Sequence, residues 1–166
     1  MAFRPALLLV FLALACQRTT LSGSVADSLG GGDETAEMDF WDGLAEVRAI
    51  SNNDALHALL LSLRGESAPD YPGRLALARE RGWVSADAQL PANETARAGA
   101  VARAVCLEAG IRGGLTMRTF GPSGRYALRE LNYRGWLPDM SASQALSGLQ
   151  LISLLSEAED HAETKR

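Results

Sequence analysis

Apolar residues in the middle of the chain recur every three or four positions, which is the spacing of an amphipathic helix. Five such stretches follow one another, and each begins near side chains that cap helix N-termini. The first four end at a glycine, the residue that most readily adopts the left-handed conformation of a helix end. The pattern therefore predicts an all-α fold. The predicted helices begin at Ser51, Asp70, Asn93, Pro122 with Ser123, and Ser143, and the first four end at Gly65, Gly82, Gly110 and Gly135.

The first 16 residues have a different pattern. Arg4 precedes an apolar run at 6–15, which Cys16 follows. A basic residue before about ten apolar residues is typical of a secretory signal, and the run is shorter than the roughly 20 residues that a membrane-spanning helix needs. Residues 12–16 (LALAC) resemble the bacterial lipobox, which implies removal of 1–15 and attachment of lipid, including palmitate, to Cys16. The alternative is an ordinary signal cut near Ala15.

By the same resemblance, Gln17 after the cysteine implies sorting to the outer membrane. We therefore expect an exported lipoprotein that is anchored to a membrane on the periplasmic side. Residues 16–37 contain mainly Ser, Thr, Gly and acidic residues. Such a segment buries too little apolar surface to offset its ordering entropy, so it is expected to be a flexible tether. The helical domain is expected at 38–158, and the charged residues 159–166 are expected to fray.

A short motif occurs twice. Residues 81–84 (RGWV) recur 53 residues later at 134–137 (RGWL), and each copy ends a predicted helix. A polar loop and a second apolar helix follow each copy, with Gly99 or Gly148 near the start of that helix. Such self-similarity predicts two helix–turn–helix repeats in a pseudo-symmetric bundle. The helix at 54–63, preceded by Trp41, is a candidate for a degenerate third copy.

This unit resembles the S-layer homology repeat, which has about this length and usually comes in threes. Residues 75–84 match the first half of the family pattern, and Pro91, Thr95, Arg97 and Ala98 match the second. Ala96 is inserted, Gly99 replaces the family's glutamate, and the second copy (145–148, ALSG) has no arginine. The resemblance implies a module that anchors proteins to cell wall polymers. It gives Arg97 the contact to an anionic polymer group. Trp83 and Trp136 follow the turn glycines Gly82 and Gly135, so we expect these four residues to have structural roles in the repeats; the alternative is that the two tryptophans are platforms for sugars.

Charge is unevenly distributed. The whole chain has a net charge of −4, which together with export argues against a nucleic-acid-binding protein. Residues 64–134 contain eleven Arg and seven acidic residues, and this excess favours an anionic partner for the helical body. The alternative is a solvated helix surface with ion pairs, such as Arg125 and Arg129 with Glu130.

Residues 111–126 combine four glycines with three arginines between two predicted helices. Successive glycine turns can form a backbone concavity for an anion, with Arg112, Arg118 and Arg125 around it and Ser123 at a helix start. The alternative is that the glycines only permit turns. Within this segment, residues 114–120 (GLTMRTF) are the one stretch predicted as extended.

No complete catalytic constellation is present in the sequence. Cys106 is the single cysteine besides Cys16 and lies on an apolar helix face, where a small buried side chain is expected. His57 and His161 stand apart from other ligand-type residues, so no metal site, cofactor or enzymatic activity is predicted. We expect a non-enzymatic envelope lipoprotein that binds wall polymer or another envelope component. The alternative is a protein–protein adaptor that docks through the apolar last helix, including Leu149.

Overall fold

The computed structural model describes residues 19–28 and 34–164. Within these ranges the protein forms seven α-helices and a short 3-10 turn at Val25–Asp27, with isolated β-bridges but no sheet. The all-α class is therefore confirmed. The helices are α1 (Glu34–Glu46), α2 (Asn52–Arg64), α3 (Tyr71–Glu80), α4 (Ala98–Glu108), α5 (Leu115–Phe120), α6 (Gly124–Tyr133) and α7 (Gly148–Thr164).

Three of the predicted N-terminal caps are present. Ser51 and Asp54 form a reciprocal capping box at the start of α2, Asp70 accepts from the backbone N–H of Gly73, and Ser123 accepts from that of Tyr126. The four predicted C-terminal glycines all have positive φ angles, which only glycine adopts without strain. The capping side chains and the glycines lie within one turn of the helix ends that they determine, so the sequence alone predicts these ends.

Two helix starts differ from prediction. Arg97, not Asn93, is the N-cap of α4, because the helix begins at Ala98 and Asn93 lies five residues before it, in a segment whose backbone bonds to Leu21. The last helix starts at Gly148 rather than near Ser143. Ser147 and Gln150 form the reciprocal hydrogen bonds of a capping box there, at 3.2 and 3.0 Å.

The segment 114–120, predicted as extended, is mostly helical and forms α5. A single extended segment without a neighbouring strand would leave its backbone groups unpaired, whereas a helix pairs them locally. Met117 on α5 is buried, and the backbone N–H of Arg118 donates to the carbonyl of Gly114.

The structure also differs from the predicted tether at 16–37. Residues 34–37 form the first turn of α1. Further along this helix Phe40 and Leu44, one turn apart, are fully buried. Residues 19–28 pack on the domain, because the backbone of Leu21 donates to Asn93 and that of Thr95 donates to Thr19. Cys16 and the signal segment 1–15 lie outside the described residues.

The C-terminal boundary differs as well. Residues 159–164 continue α7 rather than fraying, because Ala158 is buried and Ser62 donates to Glu159 across the helix pair. Among the described residues, no helix combines the length and the apolar character that a membrane span requires.

The helices pack in a closed order around one core. α3 packs on α2, α6 packs on α4, and α1 packs on α7. Three short segments that precede α2, α4 and α7 meet at the centre and join through backbone hydrogen bonds. These bonds run from Ile50 N–H to Leu146, from Ala96 N–H to Ile50, from Ala98 N–H to Gln144 and from Gly148 N–H to Val47, at 2.8–2.9 Å. We call the segments 47–52, 94–98 and 144–148 the capping segments.

Candidate functional site

An apolar groove of about 340 Å³ lies between α2, α4 and the loop that follows α3. Its wall is formed by small and aliphatic side chains of α2 and α4, and Trp83 forms one side. We call it the α2–α4 groove. Two arginines, Arg97 and Arg103, lie along it, and no acidic residue does.

Arg97 occupies the N-cap position of α4 at one end of this groove. Its side chain is exposed, makes no capping hydrogen bond and forms no ion pair with the described residues. A cation at a helix N-terminus faces the positive end of the helix dipole, which is unfavourable for folding. The guanidinium is therefore available to an anion in the groove.

Arg103, by contrast, is fixed by the protein itself. Its Nε donates to the carbonyl of Pro122 at 3.0 Å, and its Nη1 donates to the carbonyl of Trp83. These bonds tie the loop that follows α3 and the segment that precedes α6 to α4. Arg103 therefore shapes the groove and contributes positive charge to it.

The two glycine–tryptophan turns share a backbone but differ in their side chains. Gly82 and Gly135 both have positive φ, and the N–H groups of Trp83 and Trp136 close matching turns onto Ala78 and Leu131. Trp83 is buried, and its Nε1 donates to Glu108 at 3.1 Å. Trp136 is half-buried with its ring 5.5 Å from that of His161.

Arg112 and Arg118 lie together at a second cavity, of about 530 Å³, between α4 and α5. Both side chains are exposed, and neither forms an ion pair with the described residues. Arg125, at the start of α6, is exposed too but lines neither cavity. The structure thus groups Arg112 with Arg118 and places Arg97 in a separate groove.

A third cavity contains a pair that the sequence does not reveal. In a space of about 440 Å³, Nδ1 of His57 lies 2.7 Å from Oγ of Ser67. Burial, together with the positive charge of Arg74, lowers the pKa of His57 to about 4, so the imidazole is neutral at pH 7. Its Nε2 has no hydrogen-bond partner among the described residues.

A neutral imidazole beside a hydroxyl can act as a base, but catalysis also needs a group that orients the imidazole. No described carboxylate hydrogen-bonds to His57, whose ring instead packs edge-on against Phe40. The pair lies ten residues apart in sequence across a helix end, so no motif could have predicted it.

Cys106 and the last helix complete the predicted candidates. Cys106 is buried, and burial raises the pKa of its thiol to about 12, which suits a small core residue and not a nucleophile.

On α7, Leu151, Leu154 and Leu155 are buried in the core, whereas Leu149 is exposed. Most of the apolar surface expected to dock a partner is therefore used within the protein.

No protein-family model matches this chain, and neither a curated protein nor a solved structure does. The resemblance to S-layer homology repeats stays a prediction from the motifs.

Proposed function

We propose that this protein is a non-enzymatic binding module of the cell envelope, which holds an anionic wall polymer in the α2–α4 groove. Arg97 makes the principal contact in this proposal. The lipid anchor at Cys16 and the periplasmic location belong to the same proposal, since both concern residues outside those described.

The position of Arg97 is the observation that carries the proposal. An arginine at this N-cap adds no capping bond and opposes the helix dipole, so folding does not explain its presence there. The guanidinium presents paired donors that match carboxylate and phosphate groups. The wall beside it is apolar, and a ligand that covers this wall shields the contact from water and strengthens it.

The arrangement of the helices supports the proposal further. We propose that α1–α2, α3–α4 and α6–α7 are three copies of one unit, the number in which S-layer homology repeats usually come. In each copy a capping segment leads into the second helix, and the first helix packs on the second helix of the preceding copy, with α1 packing on α7. By this assignment α1 and α2 form the first copy, and α5 is an insertion.

The test is co-sedimentation of the protein with purified envelope sacculi at low and high salt. The protein should begin at Thr19 or earlier, because residues 19–28 pack on the domain. We expect salt-sensitive pelleting that Arg97→Gln weakens about tenfold, in keeping with the loss of one charge-assisted hydrogen bond. The thermal midpoint should stay equal or rise slightly, because the cation at the helix N-terminus is removed.

Arg48→Gln is the matched control, because Arg48 is also exposed and forms no ion pair with the described residues. Arg48 lies outside the α2–α4 groove, so the Arg48→Gln protein should bind sacculi as tightly as the unchanged protein does. Pelleting that neither salt nor Arg97→Gln reduces would contradict the proposal, and so would equal effects of the two variants.

A further inference from the structure

The segment 109–129 contains four arginines and no acidic residue. The nearest carboxylates on either side are engaged elsewhere: Glu108 accepts from Trp83 and pairs with Arg64, and Glu130 pairs with Arg134 at 2.9 Å. Glu130 lies beside Gly113 but is shared with Arg134, so the four arginines give the segment a net positive charge. Such a charge excess attracts an anionic surface.

Two large apolar side chains stand out from the same segment. Leu115 and Phe120, at the two ends of α5, are 82% and 80% exposed, whereas Met117 between them is buried and holds the helix on the domain. Exposed apolar residues next to basic ones are typical of protein surfaces that enter the interfacial region of a membrane. We call this the α5–α6 surface, formed by Arg112, Leu115, Arg118, Phe120, Arg125 and Arg129.

We propose that the α5–α6 surface docks on an anionic lipid bilayer. Leu115 and Phe120 enter the acyl boundary, while Arg112, Arg118 and Arg125 contact the headgroups. Two observations favour a bilayer over a protein partner. The two apolar side chains are exposed separately, and all four charged residues of the segment 109–129 are basic, which suits a fluid surface of uniform negative charge.

The test uses the full chain carrying Cys16→Ser and Phe120→Cys, with an environment-sensitive fluorophore on the new thiol. Cys106 is buried and stays unlabelled. With phosphatidylglycerol-containing vesicles the fluorescence should shift to the blue, and with phosphatidylcholine alone it should not. This readout is local, so association of other parts of the chain with the vesicles does not produce it.

The triple variant Arg112→Gln, Arg118→Gln, Arg125→Gln should raise the lipid concentration at half-maximal shift about a hundredfold, from about fivefold for each basic residue at an anionic surface. Arg97→Gln, in the α2–α4 groove, should leave it unchanged. Leu149 is exposed on α7. A fluorophore on Leu149→Cys should keep the emission of a water-exposed probe with both kinds of vesicle.

Three results would overturn the proposal. One is a label at position 120 that remains in water with anionic vesicles. Another is an equal shift of the labels at 120 and 149, which would mean non-specific adsorption. The third is tight binding of soluble polyphosphate through the three arginines with no shift on vesicles, which would assign the surface to a soluble polyanion.

Discussion

Gly148 lies where the start of α7 presses against the end of α1. A Cβ atom at this position would overlap the backbone carbonyl of Leu44, which cannot move without displacing α1. Gly99, near the start of α4, is similarly confined, with the side chain of Ala142 2.8 Å from an added Cβ. The S-layer homology pattern has a glutamate at the position of Gly99, and here no side chain fits.

We therefore expect Gly148→Ala to lower the free energy of unfolding by about 3 kcal/mol, at the upper end of the cost of overpacking a core. Chemical denaturation followed by far-UV circular dichroism measures the change. Gly114→Ala is the control, because Gly114 has negative φ and nothing within 4 Å of an added Cβ. Equal stability of Gly148→Ala and the unchanged protein would show that α1 and α7 do not approach so closely.

At the residue scale, the sequence predicts what depends on neighbouring positions. Ser51 and Gly82 are correctly assigned as helix ends because the signals for a cap lie within one turn. The close approach at Gly148 and the pairing of His57 with Ser67 depend on residues from other elements. The sequence marks Arg97 as a candidate, but only the structure shows that it lies on an apolar groove with no carboxylate partner among residues 19–28 and 34–164.

At the scale of elements, one buried carboxylate joins the N-terminal segment to α2. Oδ1 of Asp54 accepts from the hydroxyl of Ser24 at 2.6 Å and from the backbone of Ala26 at 2.9 Å. Its Oδ2 accepts from both the backbone and the hydroxyl of Ser51, at 3.2 and 2.7 Å. The Asp54 carboxylate thus caps α2 and holds residues 24–26 on it, while Asn53 Nδ2 donates to Asp27 and backbone bonds hold residues 19–21.

Asp54→Ala should therefore cost roughly 2–4 kcal/mol of the free energy of unfolding, since it removes a cap and leaves buried donors unpaired. It should also loosen the segment around Ser24 and Ala26, so that a protease cleaves within 19–28 faster than in the unchanged protein while the domain stays folded. Mass spectrometry of the fragments locates the cuts.

Asp70→Ala is the matched control, because Asp70 caps α3 but forms no hydrogen bond with residues 19–28. It should cost about 1 kcal/mol and leave the cleavage of 19–28 unchanged. The same early cleavage in both variants would mean that general destabilisation, not the bonds of Asp54, exposes the segment.

Composition fails to predict this segment for a physical reason. Residues 19–28 contain few large apolar side chains, so they resemble a tether, yet polar bonds to residues far along the chain order them. The prediction for α5 fails for another reason, because its apolar pattern is too short to distinguish a strand from a helix. Elements with several turns of apolar periodicity, such as α2, are predicted correctly because the burial of one face determines them.

At the scale of the whole molecule, the order of packing closes on itself. α1, near the beginning of the chain, packs on α7, near its end, and the backbones of Ile50 and Gly148 both bond across this junction. In an open stack of repeats each terminal unit has one neighbour, so units can unfold separately. In a closed arrangement each unit has two neighbours, and we expect the loss of any one unit to destabilise the others.

The tryptophans allow this expectation to be tested, because Trp41, Trp83 and Trp136 lie in the three proposed copies. Three variants that each keep one tryptophan, with the others changed to phenylalanine, are unfolded in urea. Within each variant the fluorescence and far-UV circular dichroism transitions should coincide, as two-state unfolding requires. Adding Gly148→Ala, at the junction of the first and last copies, should then lower the midpoint reported by Trp83 as much as that reported by Trp41. A Trp83 transition that stays in place while Trp41 shifts would show that the middle copy is stable without the closure, as in an open stack.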